Sequence, residues 1–129
     1  MLAIDTNIIV RLLTNDDHDQ AARAKILIAE NEVFVATSVL LETEWVLRGA
    51  YSQTKSDVIA ALRAFAGLST VKLEDPVRVE TALTWAAGGM DFADALHLAA
   101  AEGCEAFVTF DRRFVKSASG AAAIVVREP

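Results

Sequence analysis

The sequence predicts an α/β protein, a three-layer α/β/α sandwich around a mainly parallel central sheet. Two observations carry that expectation. Short apolar runs alternate with helical stretches along the whole chain, and two of those runs lead directly into an aspartate, Asp5 and Asp111. Strands separated by helices need crossover connections, which make the sheet parallel and cover both of its faces. In such sheets ligands bind beyond the carboxyl ends of the strands, where these two acids stand.

The elements follow in order. Leu2-Ala3-Ile4 is a short strand and Asn7 to Leu13 a helix-compatible stretch. Asp19 to Glu30, rich in Ala, Lys, Arg, Leu and Ile, predicts a helix with an aspartate at its start, and Val33 to Ala36 a strand. Ser38 has the chemistry to cap a helix running to about Ala50. Lys55 to Ala66 places Val58, Ile59, Leu62 and Phe65 at helical spacing, and Val71 to Leu73 reads as a strand. Asp75-Pro76 opens another helix, because the N–H that proline lacks has no partner in a first turn, and Gly88-Gly89 stops it. Asp91 starts an alanine-rich helix through Glu102, with Gly103 as its end. Ala106 to Thr109 is a strand leading to Asp111 and a basic loop, and Ile124 to Val126 is the last strand.

With 129 residues, 53% apolar and 23% charged, and no repeat or Pro/Gly-rich linker, the chain is expected to form one domain over 1–129. The single cysteine, Cys104, excludes an internal disulfide and points to a reducing, cytoplasmic setting. No apolar run nears the roughly 20 residues of a membrane helix. The N-terminus meets Asp5 without a positively charged segment, so neither a membrane partner nor secretion is expected. Twelve Lys and Arg against 18 Asp and Glu give a net charge of −6, which taken alone opposes nucleic-acid binding.

Carboxylates recur where sheet geometry or burial makes them costly: Asp5, Glu42, the pair Asp91 and Asp94, and Asp111. Converging carboxylates need a cation, and oxygen ligands without a His or Cys cluster favour Mg2+ or Mn2+ over zinc. Each acid also has a plain structural reading. Asp5 can cap the first helix, Asp91 and Asp94 have the spacing of an N-cap and the third helical position, and Asp111 can sit in a turn. Glu42 and Glu44 lie about 200° apart on a helix, so only one faces a given site. Glu44 has Arg48 four residues on and reads as a solvated pair, whereas Glu42, flanked on the wheel by Val39, Trp45 and Val46, lacks a local partner. Arg112, Arg113 and Lys116 suit an RNA phosphate backbone. His18 and His97 stand apart, Cys104 lies beside Glu102 and Glu105, and no serine sits in a nucleophile turn, so nucleophilic catalysis is disfavoured. Trp45 and Trp85 take helical positions where core packing is the default.

Four segments together, Ile4-Asp5-Thr6-Asn7, Val39 to Leu47 with Glu42, Asp91-Phe92-Ala93-Asp94-Ala95-Leu96-His97, and Thr109-Phe110-Asp111, resemble the PIN-domain ribonucleases. In length and motif order the chain is similar to the VapC-type toxins of bacterial toxin–antitoxin pairs. That resemblance implies an endoribonuclease dependent on Mg2+, with Mn2+ as a substitute, an RNA substrate, a homodimer and a cognate antitoxin protein. Carried over by position, it implies Asp5, Glu42, Asp94 and Asp111 as catalytic and metal-binding acids, Asp91 as an outer ligand, and Asn7 and Thr109 as supporting polar residues. Glu44 competes with Glu42 for the second place. If the six acids are set aside, twelve acids remain against twelve bases, and bound cations reverse the local sign. The same residues also fit a PIN-like nuclease of general RNA maturation or a non-catalytic binding domain. A phospho-acceptor domain would place an acid pair after the first strand and a lysine at the end of the last, and the chain has neither.

Overall fold

In the computed structural model, which describes residues 1–129, β1 (Leu2–Ala3) pairs in parallel with β2 (Val33–Val35), and β2 with β3 (Val71–Leu73). Leu2 lies opposite Val33, and Val33 opposite Val71, in a sheet of order β1-β2-β3. Ile4 extends the ladder, its N–H donating to the Phe34 carbonyl at 3.1 Å. Two helices, α1 (Thr6–Thr14) and α2 (His18–Glu30), connect β1 to β2; two more, α3 (Thr37–Gly49) and α4 (Lys55–Ala66), connect β2 to β3. These elements belong to the first of two compact units, Met1–Pro76 and Val77–Pro129. Val33, Val35, Leu40, Leu47, Val58 and Phe65 are among its buried side chains.

The helix starts differ in detail from expectation. Helix α2 begins at His18 and is capped by Asp17, whose Oδ1 accepts from the Gln20 N–H at 3.0 Å. Asp19 falls in the first turn, where the positive end of the helix favours it. Ser38 is no cap: the cap position falls two residues earlier, at Ala36, which offers no side-chain bond. The Thr37 N–H is satisfied instead by the Glu74 carboxylate at 2.9 Å, supplied from beyond β3. A distant acid thus meets the need of an uncapped helix end, which the local sequence does not reveal. Trp45 is 66% exposed, contrary to the expectation of core packing.

A polar network closes the far end of α1. The Arg11 guanidinium donates from Nη1 to both Asp16 oxygens at 2.9 Å, and the Tyr51 hydroxyl donates to Asp16 at 2.6 Å. The Tyr51 bond, aided by Thr14 and Arg11 against partial desolvation, holds the Asp16 carboxyl below its ordinary range. A lowered folded-state value means that this contribution to stability is present at neutral pH and is lost as pH falls through the depressed value. Tyr51→Phe is expected to move the Asp16 titration back up toward an ordinary carboxylate, read by carboxyl-carbon NMR. An unchanged titration would leave Arg11 and Thr14 as sufficient.

The second unit carries α5 (Pro76–Ala87), whose Pro76 lies at the boundary, then α6 (Phe92–Ala100), β4 (Ala106–Val108), α7 (Arg112–Ala118) and β5 (Val125–Arg127). β4 and β5 are parallel, Ala106 opposite Val125. Every strand pair in the chain is therefore parallel, as the alternation predicts. Helix α6 stops at Ala100, short of Glu102. Gly103, at φ +86°, then turns the chain toward β4 in a conformation that side chains other than glycine rarely take. The expected basic loop after Asp111 is helix α7, and its Phe114 ring lies 5.1 Å from that of Phe107. No helix is long and apolar enough to cross a membrane.

Candidate functional site

In the first unit, the end of β1 runs directly into α1, so Asp5 sits at the helix's N-cap position. Its Oδ1 accepts from the Thr6 N–H at 2.8 Å. Thr6 is only 4% exposed, and its hydroxyl donates to Oε1 of Glu42 on α3. One threonine therefore ties together the two acids proposed from the sequence for this unit. Asp5 and Glu42 are exposed, and Oδ2 of the one and Oε2 of the other take no protein hydrogen bond. Asn7 follows on α1, exposed.

Thr6 was not among the expected site residues. The available signal was a β-branched hydroxyl residue set between Asp5 and Asn7 at the first helical position. Glu42 is exposed and Glu44, at 2% exposure, is buried, so the buried face of α3 runs through Leu40, Thr43, Glu44 and Leu47. That overturns Glu44 as a solvated pair. Its ion pair with Arg48 exists, Nε to Oε1, with the Arg48 side chain 37% exposed. The wheel placed Glu42 beside Trp45 correctly, but that face of α3 is the exposed one. Opposite charges four residues apart are compatible with either face of a helix, so their spacing could not decide burial.

In the second unit, Asp91 caps α6, its Oδ1 accepting from the Asp94 N–H at 3.1 Å. Asp94 occupies the first turn and is half-buried. Ala95 and Ala99 on the same helix are buried, as its small residues suggested. Asp111 caps α7, Oδ1 accepting from the N–H groups of Arg113 at 3.0 Å and Phe114 at 3.2 Å. The Thr109 hydroxyl accepts from the Asp111 N–H at 3.0 Å, which fixes the turn between β4 and α7. Arg112, Arg113 and Lys116 are all exposed on α7; Arg112 approaches Glu128 at 3.5 Å. His18, His97 and Cys104 are exposed as well.

Three of the acids, Asp5, Asp91 and Asp111, are thus helix caps, and the cap and ligand readings of the sequence describe one position in each case. A cap uses one carboxylate oxygen and aims the group from a fixed helix end. Within neither unit do three or more His, Cys, Asp or Glu side chains gather into a metal cage. The donors present are carboxylate and hydroxyl oxygens, a set that fits hard divalent cations rather than zinc.

No curated protein matches this chain. Among solved structures, VapC20 of Mycobacterium tuberculosis, described as a sarcin-ricin loop cleaving toxin, is similar at 24% identity, over 97% of this chain and 99% of its own, with a TM-score of 0.46. The profile of the PIN domain family matches residues 2–119, a span that begins at β1 and reaches past α7, with Asp5, Glu42, Asp94 and Asp111 all inside it. With its alternating order, its parallel strand pairs and this match over nearly all of its length, the chain belongs to the PIN domain family.

Proposed function

We propose that this chain is a divalent-metal-dependent endoribonuclease of the VapC type, the toxin of a toxin–antitoxin pair, acting as a single PIN domain over 1–129. The observation that carries the reading is the Asp5-Thr6-Glu42 arrangement where β1 ends: two carboxylates tied to one buried threonine, Asp5 through its backbone N–H and Glu42 through its hydroxyl, each with one oxygen free of protein donors. Membership of the PIN family supports it, as do the spacing of the four acidic segments and an oxygen donor set suited to Mg2+ or Mn2+. Asp5, Glu42, Asp94 and Asp111 would hold the cation, with Asp91 in its outer sphere. When bound, such an ion supplies Lewis acidity toward a phosphodiester and lowers the pKa of water.

The chain's own residues do the rest. Asp5 and Asp111 are oriented by the helices they cap. Thr6 fixes the rotamer of Glu42, while Thr109 and Asn7 supply polar support. Arg112, Arg113 and Lys116 on α7 engage the phosphates of an RNA strand and set its path. A homodimer, an antitoxin partner and a cytoplasmic setting belong to the same reading.

The test is cleavage of total RNA by antitoxin-free protein in Mg2+, in Mn2+ and in chelator. Discrete fragments that vanish with chelator are expected; intact RNA in both metals would favour a non-catalytic binding domain. Thr6→Val removes only the hydroxyl that orients Glu42, so it is expected to weaken Mn2+ affinity by roughly 10- to 100-fold, as loss of an orienting partner typically does. Thr6→Ser should restore most of that affinity. Loss in Thr6→Ser with affinity kept in Thr6→Val would mean that the methyl group's packing matters, and the hydroxyl does not.

A further inference from the structure

A cavity of about 450 Å3 lies in the first unit, lined by α1 and α2, and it begins at Asn7, two residues along α1 from Asp5. Its volume falls in the range of small-molecule sites, roughly 300–1,000 Å3. Ile8, Ala24 and Leu27 give it an apolar lining, and Asn7, Arg11, Gln20 and Arg23 a polar one. Arg11 is held rigidly: Nε donates to Gln20 Oε1 at 2.7 Å, and Nη1 to Asp16 and, at 3.1 Å, to Tyr51. That leaves Arg11 Nη2, the Gln20 amide nitrogen and the Asn7 amide without protein partners.

The balance of charge narrows the ligand. Arg11 is matched by Asp16 at 2.9 Å and Arg23 by Asp19 at 3.7 Å, so the cavity offers hydrogen-bond donors without a net positive charge. A phosphate would meet Arg11 already committed to Asp16, and Arg23 on an exposed face where water and Asp19 screen its charge. An aliphatic side chain would leave the donors unmet. A flat, uncharged group with an apolar face and acceptors at its edge satisfies both linings. Nucleobases have this form, and guanine, with O6 and N7 as adjacent acceptors, matches arginine and amide donors best. Single-stranded RNA is read in this way, by bases splayed out against guanidinium planes and side-chain amides.

We propose that this cavity receives one unstacked base of the RNA strand, preferentially guanine, beside the acids at the start of α1. The proposal rests on the nuclease reading for its biological ligand, and its test reads binding instead of cleavage. Methyl-labelled wild-type protein is titrated with 5′-GMP, 5′-CMP and inorganic phosphate, following Ile8 and Leu27 methyl signals by NMR. GMP should shift them saturably and bind at least about fivefold more tightly than CMP, and phosphate should leave them in place. Gln20→Ala and Arg23→Ala, both at exposed positions, should each weaken GMP by a similar factor. Shifts induced equally by phosphate would overturn the proposal in favour of an anion site. Silence toward all three probes would overturn it too, and a partner protein's side chain would become the occupant to seek. RNA cleavage, measured separately, can fail while GMP binding persists, so the two readings fall independently.

Discussion

Asp94→Asn is expected to abolish RNA cleavage, by about a hundredfold or more, and to erase the Mn2+-dependent thermal stabilisation of the wild type. The substitution leaves the helix start alone, because the bond that Asp91 makes there comes from the Asp94 backbone N–H. It removes a first-turn charge that the positive end of the helix favours, so the metal-free protein should fold normally and lose no more than about 1 kcal/mol. At a Mn2+ concentration of about 100 times its dissociation constant, wild type should gain about 2.7 kcal/mol. For a chain of this size that is a rise in Tm of roughly 10 °C. Thermal unfolding of the two proteins across a Mn2+ titration measures it without any knowledge of the substrate. Identical responses would remove Asp94 from the ligand set and leave it as a first-turn residue of α6.

Glu42→Gln and Glu44→Gln should separate activity from stability. Glu42 is exposed and its only protein bond is the one from Thr6, so its amide variant should fold normally and lose cleavage by a factor comparable to that of Asp94→Asn. Glu44 is buried against a half-exposed Arg48, and Glu44→Gln removes the buried charge of that pair. Breaking a fully buried ion pair costs about 3–5 kcal/mol; with Arg48 partly solvated, about 1–3 kcal/mol is expected. Denaturant midpoints and cleavage rates of the two variants check both halves. Loss of activity in Glu44→Gln, with retained activity in Glu42→Gln, would exchange their roles.

The same pair shows where sequence reading stops. Glu44 and Arg48 are four residues apart whether their side of the helix meets water or protein, and the pattern of α3 has apolar residues on several sides, Trp45 among them. Burial there is decided by what packs on the helix, which the local sequence does not contain. Where boundaries rest on backbone chemistry, reading was sound. Pro76 and Gly88-Gly89 bracket α5, and α4 runs from Lys55 to Ala66 as its spacing indicated. Helix α7 escaped notice because seven residues with two buried side chains, Phe114 and Ala118, hold too little periodicity to rise above a basic turn. Its capping residue, Asp111, was visible all along, weighed as a turn residue and a ligand. At the site, the acid types could be read in order, but the threonine linking two of them could not, since the hydroxyl bond that reaches Glu42 spans 36 residues.

Anchoring three acids as helix caps has a genetic consequence. Asparagine caps a helix about as well as aspartate, whereas alanine at a cap costs typically about 1 kcal/mol. An aspartate codon becomes an asparagine codon by a single transition. At Asp5, Asp91 and Asp111, therefore, one base change removes the charge and spares the helix. On the proposed nuclease reading, folded and charge-depleted alleles lie a single base change away, and such alleles would still present an intact surface to whatever binds the protein.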